Sequence, residues 1–97
     1  MRKFVFKDEA IHDIGDSYEF YESRKENLGE EFLNELETTL KFIRERPTSF
    51  PKILSDQRKV SLKRFPFTII FEIENNNIVI YAVYHGSRDP VKKFRKK

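Results

Sequence analysis

The chain has 97 residues, of which 36% are charged, with a formal net charge of +3 and no cysteine. This length predicts one domain over residues 1–97 with one hydrophobic core. The lack of cysteine excludes a disulfide scaffold, thiol catalysis and cysteine-ligated zinc, and it fits a cytoplasmic protein. The N-terminus turns polar too early for a signal peptide, and no apolar run approaches the ~20 residues that span a membrane. We therefore expect no membrane partner.

A short strand followed by a helix is the first structure that the sequence predicts. In residues 3–7, Phe4 and Phe6 alternate with residues that would point the other way, as in a strand. Asp8 then occupies a suitable N-cap position. One apolar face of the helix after it is formed by Ile11, Ile14, Tyr18 and Tyr21. Gly15 lies within that helix, where the missing side chain is expected to let a second element approach closely.

A second helix is predicted over residues 30–46, after a break at residues 27–29. Its apolar stripe consists of Phe32, Leu33, Leu36, Leu40 and Ile43. Glu30 and Glu31 in the first turn complement the helix dipole, and Pro47 ends the helix. Because the connection between the two helices is short, they are predicted to form an antiparallel hairpin.

The second half of the chain predicts a loop and three strands. Residues 47–56 contain two prolines and are expected to be an irregular loop. The strands are predicted over residues 57–65, 67–74 and 78–84. Pro66 marks a turn or bulge between the first two strands, and the asparagine run 75–77 marks a hairpin turn. The last strand is apolar on both faces, so it should be the most buried.

Together these elements predict an α+β fold. A small antiparallel sheet, made of the N-terminal strand and the C-terminal three-stranded meander, would pack one face against the helical hairpin. No internal repeat or low-complexity segment interrupts this order.

Basic side chains concentrate in the last part of the chain, whereas the middle is acidic. The candidates for binding nucleic acid or another target are Arg58, Lys59, Lys63, Arg64 and Arg88. They would gather at the ends of the predicted sheet, where arginine can hold a phosphate group through two hydrogen bonds. Alternatively, these basic residues form only the solvated face of an edge strand and bind no ligand. The sequence leaves both interpretations open.

His85, at the end of the last predicted strand, is the candidate acid–base group. RNA cleavage without a metal needs a base, an acid and cationic stabilisation of the phosphate, and histidine titrates near neutral pH. A histidine at a strand end can also be a structural residue that makes a hydrogen bond. No metal-binding, nucleotide-binding or cofactor motif occurs in the sequence, so we expect no metal and no cofactor.

Five segments in order resemble the RelE/ParE superfamily, the toxin halves of bacterial type II toxin–antitoxin modules. They are Y-E-F-Y-E (18–22), N-L-G-E-E-F-L-N-E-L-E (27–37), I-R-E-R-P-T-S-F-P (43–51), R-F-P-F-T-I-I-F (64–71) and A-V-Y-H-G-S-R-D-P (82–90). The similarity covers residues 8 to 90. It implies a compact sheet with a helical hairpin, in agreement with the fold predicted from the residues.

The resemblance implies one of two activities. RelE-like members are metal-independent endoribonucleases that cut mRNA on the ribosome, and in such a member Arg64 and Arg88 would contact phosphate while His85 would act as acid–base. ParE-like members poison DNA gyrase without known nuclease chemistry. The F-P-F and H-x-x-R-D-P segments resemble the ParE-like branch, and the chain closes with F-R-K-K where a ribonuclease would have a His-Tyr pair.

Three hypotheses follow from the resemblance. The chain is a ParE-like growth inhibitor acting on DNA gyrase, a RelE-like ribonuclease acting on the ribosome and mRNA, or a non-toxic member within an antitoxin–DNA repressor complex. Each implies a cognate antitoxin as partner, with operator DNA contacted through that antitoxin. The antitoxin is expected to cover the two helices and the sheet edge with an acidic segment that folds on binding.

Overall fold

The computed structural model describes residues 2–85. Its elements in chain order are β1 (Lys3–Phe6), α1 (Asp8–Arg24), α2 (Leu28–Glu45), a short 3₁₀ helix (Pro47–Ser49), β2 (Lys52–Leu54), β3 (Gln57–Ser61), β4 (Phe67–Glu74) and β5 (Asn77–His85). The two helices pack together and lie on one sheet, so the predicted α+β class and the helical hairpin are confirmed. Within residues 2–85, no helix is long and apolar enough to cross a bilayer.

The sheet has five strands in the order β1-β5-β4-β3-β2. The sheet is mixed and not antiparallel throughout as predicted, because β1 pairs in parallel with β5 while the other neighbours are antiparallel. The strand β2 lies within the segment that the sequence predicted as a loop. The prolines there had argued against a strand, but an edge strand leaves one side of its backbone unpaired and tolerates a proline beside it. Pro51 accepts a hydrogen bond from the Lys59 amide at 3.2 Å.

The main core lies between the helices and the sheet. The α2 stripe is as predicted: Phe32, Leu36 and Ile43 are buried, and Leu33 and Leu40 pack against them. On α1 the buried face is rotated, because Ala10, Ile14 and Tyr21 face the core while Ile11 is 56% exposed. Adjacent residues on a helix differ by about 100°, so placing Ala10 inward turns Ile11 toward solvent.

The hairpin turn between the helices is fixed by a carboxylate rather than by a local cap. Glu22 of α1 accepts hydrogen bonds from the amides of Asn27 and Gly29, both at 2.9 Å. These bonds satisfy amides at the start of α2, where the helix dipole favours a negative charge. The helix α2 therefore begins at Leu28, two residues before the predicted start. Asp8, expected as the N-cap of α1, lies inside its first turn, and Lys7 precedes the helix.

The strand β5 has buried residues on both faces, which confirms the prediction that it is the most buried strand, and a bulge changes which of them face the helices. Ile70 pairs with Ala82 but Phe71 pairs with Ile80, which leaves Tyr81 as an extra residue. Ile78, Ile80 and Val83 consequently join the core beneath the helices, while Ala82 and Tyr84 join a smaller apolar cluster with Ile70. The asparagine turn is also confirmed, since Asn75 has a φ of 55°.

The two helical glycines provide a matched test of the hairpin packing. A Cβ at Gly29 would lie 2.7–2.8 Å from the Tyr18 ring and 2.8 Å from the Tyr18 backbone oxygen, whereas a Cβ at Gly15 would meet nothing within 4 Å. The close approach expected at Gly15 is therefore wrong, and it occurs at Gly29. We predict that Gly29→Ala lowers the free energy of unfolding by about 1–3 kcal/mol through overpacking.

The control is Gly15→Ala, which should raise the free energy of unfolding by about 0.5–1 kcal/mol because alanine favours an open helical position. Urea denaturation of both variants measures the two effects. Destabilisation of the same size in both would contradict the packing seen at Gly29.

Candidate functional site

The turn between β3 and β4 carries two of the predicted basic residues, Lys63 and Arg64. Its shape is set by buried anchors on either side, because Leu62 and Phe65 are 7% and 6% exposed. The amide of Leu62 donates to the Phe67 carbonyl at 2.9 Å, and the Phe67 amide donates to the Phe65 carbonyl at 2.8 Å. The predicted interruption at Pro66 is thus a closed turn that presents residues 63 and 64 beside α2.

Two carboxylates of α2 contact this turn. One oxygen of Glu35 accepts hydrogen bonds from the backbone amides of both Lys63 and Arg64, the latter at 2.8 Å. Glu31, one helical turn earlier, accepts from the Arg64 guanidinium at 2.8 Å. The hydrogen bond with Arg64 lowers the pKa of the Glu31 carboxyl, and the same bond raises the pKa of Arg64. We call Glu31 and Glu35 the α2 carboxylates.

Arg58, a third predicted basic residue, connects β3 to the segment after α2. Its guanidinium donates to the carbonyl of Phe50 at 2.6 Å and to that of Thr48 at 3.4 Å. Its side chain therefore binds protein backbone in this structure. Lys59, the next residue, is exposed.

A groove of about 940 Å³ runs between α2 and β3, and we call it the α2 groove. Its apolar lining includes Phe42, Phe50 and Val60, and Phe42 is 51% exposed. Its charged lining consists of Glu31, Glu35, Glu45, Arg46, Lys63 and Arg64, so neither sign dominates. The second oxygen of Glu35 is buried and has no hydrogen-bond partner within residues 2–85. The groove therefore has an apolar strip flanked by charges of both signs.

His85 lies in a different groove, of about 420 Å³, between α1 and the ends of β4 and β5. Its ring meets the Phe67 ring edge-on, with centroids 5.6 Å apart. Asp13 and Asp16 line the same groove. Asp13 accepts a hydrogen bond from the Val83 amide at 3.1 Å. The described surroundings of His85 are therefore acidic rather than basic.

The structure brings some of the predicted site residues together and separates others. Lys63 and Arg64 share the α2 groove, whereas His85 lines the other groove, and no described residue lines both. Tyr21 and Phe67, which pack in one aromatic cluster with Phe32 and Phe65, line the groove of His85. Arg88, predicted both for phosphate contact and for target binding, lies outside the described residues. Residues 2–85 contain no group of three or more side chains that could hold a metal ion.

Sequence reasoning did not identify Glu35 or Phe42 as site residues, and it assigned Glu31 to the helix dipole alone. Glu31 does lie in the first turn of α2, so that role remains alongside its contact with Arg64. Phe42 lies outside the predicted apolar stripe of α2. A large aromatic residue in that position could have indicated an exposed apolar binding surface. The contacts of Glu35 span 28 and 29 residues, and no local pattern indicates them.

Comparison with known proteins identifies the fold and the family. The family model described as ParE toxin of type II toxin–antitoxin system, parDE, matches residues 4–90. A chain of the chromosomal ParDE TA system from P. aeruginosa is similar at 18% identity and a TM-score of 0.64, covering 88% of this chain and 96% of that one. The isolated RelE toxin of E. coli is similar at 14% identity and a TM-score of 0.59, covering 98% and 95%. No curated protein sequence matches the chain.

The backbone contacts of Arg58 predict a structural role that can be measured. We expect Arg58→Ala to lower the free energy of unfolding by about 1–3 kcal/mol, because hydrogen bonds from a charged group are lost and carbonyls lose their donor. Lys59→Ala, on the same strand, should change it by no more than about 0.5 kcal/mol. Urea denaturation at neutral pH measures both. If the two variants were equally stable, Arg58 would be a free surface cation.

Proposed function

Because the chain belongs to the ParE toxin family of type II toxin–antitoxin systems, we propose that it is a toxin that inhibits growth by binding DNA gyrase. In this proposal residues 1–97 act as one domain in the cytoplasm, and a cognate antitoxin neutralises the protein. Operator DNA is contacted through that antitoxin. The proposed target-binding residues are Arg58, Lys59, Lys63, Arg64 and Arg88, with Arg58 also serving the fold.

The different surroundings of Arg64 and His85 support the choice of gyrase over mRNA, beside the match to the ParE family. Cleavage of RNA without a metal requires an acid–base group and a cation to reach one phosphate together. Arg64 pairs with Glu31 in the α2 groove, whereas His85 shares its own groove with two aspartates. This arrangement supports a protein that acts by binding. A RelE-like ribonuclease, using His85, Arg64 and Arg88, is the alternative outcome of the test.

The α2 groove is the proposed docking site of the antitoxin. A segment that folds on binding needs apolar surface to offset the entropy of ordering, and Phe42 with its apolar neighbours supplies it. The groove also contains Lys63 and Arg64, so a partner there would cover basic side chains. An antitoxin with an acidic segment suits the net charge of +3.

The mechanism is tested with purified components and the variant His85→Gln. We expect the parent chain to inhibit supercoiling by DNA gyrase and to leave mRNA uncut on programmed ribosomes. His85→Gln should inhibit gyrase as well as the parent does, because a binding inhibitor has no use for an acid–base group. Supercoiling and cleavage assays on the same preparations measure both activities, and a melting curve verifies the fold.

The opposite pattern would identify a ribonuclease. In that case the parent would cleave ribosome-bound mRNA, and His85→Gln would slow the cleavage by about 10²–10⁴-fold, the usual contribution of a general acid or base. Cleavage of this kind without gyrase inhibition would overturn the proposed function. A folded parent chain active in neither assay would overturn it as well and would favour a non-toxic member of a repressor complex.

The docking site is tested by Phe42→Glu. Because Phe42 is half exposed, a charge there should be tolerated by the fold, yet it would be placed in the apolar strip of the docked partner. We expect binding of the cognate antitoxin, measured by calorimetry, to weaken at least tenfold. The melting temperature should stay close to that of the parent.

Ile11→Glu is the matched control, since Ile11 is an equally exposed apolar residue on α1 and lines neither groove. The control should bind the antitoxin like the parent. Loss of binding in both variants, or in neither, would reject the α2 groove as the docking site.

A further inference from the structure

The turn at residues 63 and 64 has the donors of an oxyanion site. The backbone amides of Lys63 and Arg64 converge on a single oxygen. Successive amides that point at one place form a concave site for anions, as in phosphate-binding loops. The Arg64 guanidinium lies beside them, and its planar fork suits carboxylate and phosphate oxygens alike.

The α2 carboxylates occupy this site from within the same chain. Glu35 takes both amides with one oxygen, and Glu31 takes the guanidinium. The two contacts differ in strength. The Glu31–Arg64 pair is largely in solvent, with side chains 44% and 62% exposed, and such pairs are readily exchanged. Glu35 binds backbone amides whose direction is fixed by the turn, so it is the principal occupant.

We propose that the turn is a phosphate-binding site which the α2 carboxylates mask, so that the free protein does not bind phosphate groups through it. The ligand is a phosphate group, either free or in a nucleic-acid backbone. The carboxylate oxygens of Glu31 and Glu35 occupy the positions that the phosphate oxygens would take, so they compete with the ligand. The inference is independent of the gyrase target, because it concerns what the turn binds and what prevents it from binding.

The turn keeps its shape for reasons that do not involve the carboxylates. Leu62 and Phe65 are buried on either side, and the rings of Phe65 and Phe32 are 5.6 Å apart. The hydrogen bond from the Leu62 amide to the Phe67 carbonyl, and that from the Phe67 amide to the Phe65 carbonyl, close the turn without α2. Removing the two carboxylates should therefore expose the amides in nearly their present positions.

The test compares two double variants with equal charge. Glu31→Ala with Glu35→Ala removes the mask. Glu30→Ala with Glu37→Ala removes the same charge from exposed positions of α2 that do not line the α2 groove. Inorganic phosphate is titrated into each, and the amide resonances of Lys63 and Arg64 are followed by NMR. We expect saturable shifts in the unmasked variant, with a dissociation constant at least tenfold lower than in the control and the parent.

A second arm uses a single-stranded RNA oligonucleotide and fluorescence anisotropy at several salt concentrations. The unmasked variant should bind more tightly than the equally charged control, and its plot of log K against log salt should be steeper by about 0.7, the value for one extra phosphate contact. If the unmasked variant bound inorganic phosphate but bound RNA no more tightly than the control, the site would be one for free phosphate. That result would still support masking by the α2 carboxylates.

Equal phosphate affinity in the folded unmasked variant and its control would overturn the proposal. If the double alanine variant does not fold, the single variant Glu35→Ala takes its place, because it frees both amides and keeps the Glu31–Arg64 pair. Its comparison is Glu37→Ala. A tenfold gain over that control is then expected, and equal affinity would again reject the site.

Discussion

Phe32 of α2 packs against both Phe65 and Phe67, with ring centroids 5.6 and 5.3 Å apart, and much of the structure depends on this contact. The two phenylalanines flank Pro66, so the rings hold both sides of the turn against the helix. Tyr21 of α1 adds a further ring at 4.9 Å from Phe65, which ties the hairpin to the same place. Because the turn is fixed there, its amides meet Glu35, and its cations lie in the α2 groove instead of projecting alone into solvent.

The sequence predicted the parts of the fold whose signals are local and redundant. The α2 stripe has an apolar residue at each helical turn, so an error at one position does not change which face of the helix is predicted to be buried. On α1 the signal was sparse, and the small Ala10 gave no reason to prefer it over Ile11 as the buried residue. The parallel pairing of β1 with β5 joins residues more than seventy positions apart, such as Lys3 and Asn77. No periodicity within either strand specifies its neighbour or its direction, and the three-residue β2 is too short for alternation to appear.

The candidate site was predictable only as a set of residue types. Arg58, Lys63, Arg64 and His85 were identified from charge and position, but sequence position does not show what each side chain contacts. Arg58 binds carbonyls of its own chain, and His85 faces a groove that contains aspartates. The carboxylates opposite the turn come from the acidic middle of the chain, which looked electrically separate from the basic residues after it. Folding places Glu31 and Glu35 against the turn at residues 63 and 64, so the charge of Arg64, which the sequence predicted as free, is already paired.

The contact of the α2 carboxylates with the turn matters for function because the fold alone does not distinguish a gyrase inhibitor from a ribonuclease. Solved chains of a ParDE system and of the RelE toxin share the architecture at TM-scores of 0.64 and 0.59, a difference too small to choose an activity. What one fold can do then depends on which side chains are available to a partner. In this chain the Lys63 and Arg64 amides are already bonded, and the Arg64 guanidinium already has a carboxylate. A partner that relies on shape and apolar contact, as at Phe42, meets no such competition, whereas a phosphate group bound at this turn would have to displace Glu35. On the proposed masking, the α2 carboxylates bias this turn of a common scaffold against phosphate groups.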